Sequence, residues 1–513
     1  MAEIVTKKEF CENIRPHIKA ENKTIALCHG VFDLVHPGHM EHFEQASKIA
    51  DVLVVSITAA KYVRKGPDRP YFNDSQRLKF LANIDYIDYV MLSEGYTVDD
   101  IVEVVEPDYY VKGAEYADEN ADVTANMKPE RELVEKHGGK VVYTGGDVFS
   151  STKLINRGMS ALPEDVIAYM EKFKERYSME DVLHYADKAR KLKILIVGEV
   201  IIDRYTYCEV QGLMSKNLAY SARESKTEDY LGGSLAVARH IASFCEDVTL
   251  ISVIGDEERM LEKIQDGCKD YKSLKLNLVQ SHKFPTIIKH RYVSANKKRT
   301  ELEKVFVSNN IPRNPKIDEE ALKQLIDKIE NDIKDYDAVF VCDFGHGLLD
   351  NTLMDVLQDG AKYLVLNCQT NSSNYGLNNI TKYRKADVAS LDQKELKLAF
   401  PQYAENEEKG IESLISKLGS KTIWLTRGSE GALGASDGIY EICPAFTLKV
   451  ADTIGAGDAF YSIAGLFSAS GADVKMSTMI GNIAGAIGTN IVGNKTAVGR
   501  ADVLKFCSTL MNI

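Results

Sequence analysis

Four of the chain's eleven histidines, His29, His36, His39 and His42, fall within the stretch HGVFDLVHPGHMEHF, residues 29–43. His36 and His39 flank Pro37 and Gly38. An apolar run over residues 24–28 predicts a strand before them, and the pattern near 39–49 predicts a helix after them. A helix N-terminus presents unpaired N–H groups and the positive end of the dipole, so it binds phosphate. Gly38 lets the backbone come close to such a ligand. Two imidazoles three residues apart share a helix face and can both donate to phosphate oxygens, which suits a site where charge grows on a pentacoordinate phosphorus. Taken alone, the spacing also fits a metal-binding pair or two surface histidines.

A second constellation lies far away in DTIGAGDAF, residues 452–460. Gly455, Ala456 and Gly457 would open their N–H groups toward a transferring phosphate at a helix start. Asp458 directly follows and could take a proton from an attacking hydroxyl.

Two alternating patterns must position these groups. In the first, strand patterns at 24–28, 52–57, 89–92, 108–112 and 140–143 alternate with helical ones near 39–49 and 74–82, predicting a small doubly wound α/β sheet. In the second, strand patterns at 193–197, 249–253, 338–342, 363–367 and 422–426 predict a larger α/β domain, and its C-terminal stretch is helix-rich and rich in small residues. Between them, residues 162–190 carry apolar residues at helical spacing, with Pro163, Glu164 and Asp165 as a helix start. We therefore expect domains at 1–160 and 191–513 joined by a helical segment at 161–190.

A length of 513 residues allows each domain a core of its own. The net charge of −12 disfavours nucleic-acid binding, which needs a broad basic face, but not small anionic substrates. No apolar run is long enough to span a membrane, and the charged N-terminus does not suit a signal peptide, so the expected location is the cytoplasm with no membrane partner. The nine cysteines form no CxxC pair and suit buried thiols better than a zinc site or disulfide frame.

GVFDLVHPGH resembles the GxFDxxHxGH signature of cytidylyltransferase-like nucleotidyltransferases, a Rossmann-like fold. RKGPDRPYFNDSQRLKFL (64–81), PDYYVKGAEY (107–116) and SSTKLINR (150–157) resemble further segments of that family, so the likeness covers about residues 23–158. It implies that His36, His39 and Lys112 act at the α-phosphate. Gly30, Phe32, Asp33, Gly38, Lys65, Arg77, Ser151 and Thr152 would bind or orient the nucleotide, while His29 and His42 stand aside.

DTIGAGD resembles the DTxGAGD signature of ribokinase-like (PfkB) sugar kinases, with likeness over roughly 192–513. It implies Asp458 as base and Gly455, Ala456 and Gly457 as the anion hole. Asp203, Gly232, Gly233 and, from PTIIKHR, Arg291 would bind the sugar. Thr426, Gly428 and Asn482 would flank the nucleotide, and Glu395, indirectly, with Asp392 would serve Mg²⁺. Ala236, His240 and Asp392 depart from the family's usual asparagines.

The pair of domains resembles bifunctional heptose kinase/adenylyltransferases in reversed order. That implies a sugar or sugar-phosphate substrate, ATP (with CTP the alternative at the transferase site, which lacks an RTxGIST-like arginine), Mg²⁺, and a homo-oligomer such as a dimer. The Asn-rich stretch 367–383 departs from that likeness and predicts a loop.

Overall fold

The computed structural model describes residues 2–63, 69–113, 127–145, 162–216, 218–294, 303–311, 316–371, 374–446 and 450–512. The chain divides into two units, residues 1–174 with 504–513, and residues 175–503.

Among its described residues, the first unit is built on a six-stranded sheet. Its strands are β1 (Glu3–Ile4), β2 (Ile25–Gly30), β3 (Val52–Thr58), β4 (Tyr89–Ser93), β5 (Tyr109–Gly113) and β6 (Lys140–Thr144), in the order β1-β4-β3-β2-β5-β6. All adjacent pairs are parallel. Ile25, Ala26, Leu27 and Cys28 are fully buried, as expected of a central parallel strand covered on both faces. Two apolar clusters hold the sheet, one around Phe43, Leu53 and Leu81, the other around Phe10, Ile101 and Tyr110. The strand order reverses between β2 and β5, the crevice in which open α/β sheets place ligands. The helix Pro37–Ser47 leaves β2 with Pro37 in its first turn, where a missing N–H costs nothing. Asn73 and Gln76 form a capping box at the helix Asp74–Ala82.

The helical segment is two helices, Glu164–Lys174 and Met179–Arg190, rather than one continuous pattern. Ser178 starts the second: it accepts from the Asp181 N–H while the Asp181 carboxylate accepts from Ser178 N–H.

The second unit has a nine-stranded sheet in the order β11-β10-β7-β14-β15-β16-β17-β18-β19. In chain order these are β7 (Lys193–Gly198), β10 (Asp247–Gly255), β11 (Leu274–Ser281), β14 (Ala338–Asp343), β15 (Leu364–Cys368), β16 (Val388–Asp392), β17 (Thr422–Thr426), β18 (Ala432–Ser436) and β19 (Ile439–Cys443). Only β18 and β19 run antiparallel to their neighbours. The order reverses between β7 and β14. A separate sheet, β13-β12-β8-β9, joins β8 (Val200–Leu213), β9 (Tyr220–Gly233), β12 (Ile287–Ser294) and β13 (Glu303–Asn309). Sequence patterning shows the first sheet's central strands but not this second sheet. YSARESKTEDY in β9 is polar on both faces, so it carries no apolar alternation.

Candidate functional site

In the first unit the histidine pair lies at the strand-order reversal. His36 is the N-cap residue of the helix Pro37–Ser47 and is buried. Its ring stacks on that of His39 with centroids 3.9 Å apart. Phe32 meets His39 edge-on at 5.2 Å and lies 5.1 Å from Phe43, so its ring belongs to the core that backs the pair. The Phe32 ring also lies 3.1 Å from where a side chain on Gly30 would begin. Gly38 stands in the first turn, beside the open N–H groups. Asp33 accepts from the Tyr71 and Phe72 N–H groups at 2.9 and 3.0 Å and pairs with Arg69 at 3.1 Å, which ties the 69–72 turn to the site.

Lys112, near the end of β5, forms an ion pair with Glu130 at 2.9 Å, and the Tyr110 hydroxyl donates to the same carboxylate oxygen. Glu130 lies on the helix Met127–Lys136 and was not legible in sequence, because no local pattern links it to Lys112 eighteen positions away. The phosphate role expected for Arg77 is corrected. Its guanidinium is buried and donates to the Phe72, Val31 and Thr58 carbonyls at 3.1, 2.7 and 2.9 Å and to Asp74. It braces the loops on either side of the site. His29 bonds Ser56 and Thr58, and His42 bonds Thr144. Burial, then Lys112, lowers their pKa values to about 3 and about 4, so both are neutral structural groups. Lys65, Ser151 and Thr152 lie outside the described residues.

In the second unit Asp203, Arg291, Lys289 and Asp458 converge. Parallel pairing sets Lys289 beside Asp203 and Arg291 beside Tyr205, so alternation brings both cations to the Asp203 face. Arg291 forms a buried ion pair with Asp203. Lys289 lies over the Phe344 ring at 5.6 Å. Burial lowers its pKa, against the pull of Asp203 and, more weakly, Asp458. Lys289 is a residue the sequence reading missed, although its spacing of two from Arg291 in a strand was a usable signal. Gly232 is required where it stands, since a side chain there would overlap the Asp203 carboxylate; Gly233 follows it as the N-cap of the helix Ser234–Ala242.

Gly455 caps the helix Ala456–Ala469 at φ 85°, a left-handed conformation suited to glycine. Ala456, Gly457 and Asp458 form the first turn, whose N–H groups have no helical partner. Asp452 anchors the turn by accepting from the Tyr205 hydroxyl at 2.8 Å and from the Ile454 and Gly493 N–H groups. Asp458 is buried and accepts from the Gln369 amide at 2.8 Å. Burial raises its pKa to about 6; Gln369 lowers it, Asp203 raises it and Lys289 lowers it. A carboxyl group so placed changes protonation close to neutrality, where it could take a proton from a hydroxyl.

Asp392 and Glu395 form the capping box of the helix Gln393–Ala399, and Glu395 also accepts from Thr370 N–H at 2.8 Å. Burial, then Asp392, raises the Glu395 pKa to about 7. Among the described residues no cluster of three His, Cys, Asp or Glu side chains forms a metal cage. Two carboxylates alone suit Mg²⁺ that keeps its waters and arrives with phosphate oxygens, so the donor set fits. Thr426 ends β17, and Gly428 opens the following turn at φ 58°. The Asn482 amide nitrogen donates to the Pro444 carbonyl at 2.6 Å and lies near the Cys443 sulfur, bracing the end of β19. His240 accepts from Val498 N–H and is neutral, its pKa lowered to about 3 by burial and then Arg239. Ala236 is a buried helix residue. Among the three departures, Asp392 caps a helix, His240 accepts a backbone N–H and Ala236 is buried in its helix.

Residues 191–494 match the pfkB family carbohydrate kinases, and residues 27–171 match the family described as cytidylyltransferase-like. The bifunctional protein HldE of Campylobacter jejuni subsp. doylei is 26% identical over 308 residues, which is 60% of this chain and 62% of that protein. The bifunctional protein HldE of Syntrophotalea carbinolica is 31% identical over 158 residues, 30% of this chain and 31% of that one. Each match therefore spans less than two thirds of the relative's length. The crystal structure of phosphofructokinase-2 from Escherichia coli in complex with substrates and products shares the fold over 62% of this chain and 99% of its own, with 16% identity and a TM-score of 0.50. The chain belongs to the pfkB family of carbohydrate kinases and carries a cytidylyltransferase-like domain on the N-terminal side of its kinase domain.

Proposed function

We propose that the chain is a bifunctional enzyme that makes a nucleotide-activated sugar, similar to an ADP-heptose, for surface glycan synthesis. Its C-terminal domain, residues 191–513, phosphorylates a sugar or sugar phosphate with ATP. Its N-terminal domain, residues 1–160, transfers a nucleotidyl group, adenylyl in this reading, to a sugar 1-phosphate, and residues 161–190 join the two. The observation that carries the reading is the convergence of Asp458, Asp203 and Arg291 at a glycine-capped helix N-terminus, in a chain whose other domain stacks two histidines at a second one.

In the kinase step Asp203 and Arg291 hold acceptor hydroxyls, and the first turn at Gly455, Ala456 and Gly457 receives the γ-phosphate. The acceptor proton passes to Asp458 as its oxygen bonds to phosphorus, and the bond to the departing ADP breaks. Asp392 and Glu395 would hold Mg²⁺ arriving with the nucleotide, and the ion would supply neutralisation of phosphate charge. In the transferase step His36 and His39 donate to the α-phosphate while the sugar phosphate displaces pyrophosphate, and Lys112 swings from Glu130 to the phosphates. The setting is cytoplasmic, and the enzyme is a homo-oligomer.

Mass spectrometry after incubation with Mg-ATP and D-glycero-D-manno-heptose 7-phosphate tests the kinase step: a gain of one phosphate is expected, and no gain from folded, ATP-binding protein overturns that acceptor. Pyrophosphate release with ATP against CTP tests the second step, and preference for CTP overturns the adenylyl assignment.

A further inference from the structure

We propose that Gln369 is a positioning residue for phosphoryl transfer: its amide holds one oxygen of Asp458 and leaves the other turned to the acceptor hydroxyl. The inference rests on the kinase reading above and gives a role to the Asn-rich segment that follows β15.

The Gln369 Nε2 group donates to Asp458 Oδ1 at 2.8 Å, and Oδ2 has no hydrogen-bond partner among the described residues. A carboxylate with one oxygen fixed has one direction left in which to accept a proton. Gln369 is itself held at its backbone. Its N–H donates to the Asp343 carbonyl at 2.8 Å, and its carbonyl accepts from the Asn378 amide at 3.0 Å. Asn371 and Asn374 donate to the Phe344 carbonyl at 2.8 and 2.9 Å, and Asn378 also reaches the Asp343 carboxylate at 3.1 Å. The asparagines therefore lock the segment to the end of β14, the strand at the sheet's order reversal. The next residue, Thr370, donates its N–H to Glu395. One short stretch thus holds Asp458 and Glu395, two of the carboxyl groups assigned to phosphoryl transfer.

The charged and titratable groups facing Asp458 are Asp203 from β8, Lys289 from β12, Glu395, Cys342 from β14, and Tyr461 one turn along its own helix. Gln369 is a neutral donor among them. A donor to the ionised form favours that form, so removing it raises the proton affinity of Asp458.

The test compares the full chain with Gln369→Met, which keeps length and loses the donor, and Gln369→Lys, which restores one. With Gln369→Met we expect kcat near pH 6 to fall roughly fivefold, with the loss narrowing as pH rises and KM for the acceptor little changed. Gln369→Lys recovers activity. In parallel, a ¹³C-carboxyl NMR titration follows Asp458, its resonance identified by loss in Asp458→Asn. Its midpoint should rise by about one pH unit in Gln369→Met. An unchanged pH profile together with an unchanged midpoint overturns the inference. A shifted midpoint in a protein that phosphorylates no sugar or sugar phosphate overturns the kinase reading instead, and leaves the Gln369–Asp458 linkage standing.

Discussion

The two candidate sites share a plan and differ in how they hold charge. Each lies where the order of a parallel sheet reverses, and each uses the N-terminus of a helix. In the first unit the charged groups around the histidines are matched: Lys112 by Glu130, Asp33 by Arg69, and Arg77 by three carbonyls and Asp74. In the second, Asp203 meets Arg291, but Asp458 is held by a neutral amide. Matched charges fix a shape. A buried acid held by an amide stays available as a base, with an affinity for protons set by burial and by one hydrogen bond. The second site therefore carries a pH dependence set by Asp458.

The largest effect expected separates the two sites. Asp458→Asn should lower kinase kcat by about 10²–10⁴-fold and leave pyrophosphate release by the transferase unchanged. A comparable loss in both activities would break the comparison. The converse variant, His36→Ala, should cost nucleotidyl transfer about 10²–10³-fold with ADP formation intact.

Next in size is pH. The Asp458 pKa of about 6 lies above the ordinary carboxylate value, and the base works ionised. Kinase kcat/KM should therefore hold above neutrality and fall about tenfold per pH unit once below pH 6. A profile flat down to pH 5 would show that Asp458 is not the base.

Arg77 sharpens the contrast on the structural side. Arg77→Met would take a donor from three half-buried carbonyls, so the first unit should lose roughly 2–4 kcal/mol of stability by denaturant titration. KM for the nucleotide should change little. A large rise in KM at unchanged stability would return Arg77 to the phosphates.

The smallest effect belongs to His42→Gln. This substitution keeps a hydrogen-bonding side chain beside Thr144, so nucleotidyl transfer should be close to the parent's. Strong loss would mean that His42 acts at the phosphate.

How much of this was legible in the sequence follows from the range over which each signal acts. The helix starts at Pro37, Asp74 and Glu164, the central apolar strands, and the two glycine-bearing helix N-termini depend on neighbours within a few residues, and they stand where the pattern puts them. The site residues brought together in the second unit, Asp203, Arg291 and Asp458, were likewise named from local motifs. The missing pieces depend on distant partners. Glu130 matters because of Lys112, Gln369 because of Asp458, and Arg77 is turned away from phosphate by carbonyls at residues 31 and 58. Lys65, Ser151 and Thr152 lie outside the described residues. The sheet of β8, β9, β12 and β13 escaped chiefly because β13 and the first half of β9 are exposed on both faces, which removes the buried-apolar period that marks a strand.

The central claim is two separate phosphate-transfer sites in one chain. It is tested most directly by following ADP and pyrophosphate together in wild type, Asp458→Asn and His36→Ala, each given Mg-ATP, a sugar phosphate acceptor and its 1-phosphate product. The account predicts that Asp458→Asn loses only ADP formation and His36→Ala loses only pyrophosphate. Loss of both products in either variant, or full ADP formation by Asp458→Asn, would contradict it.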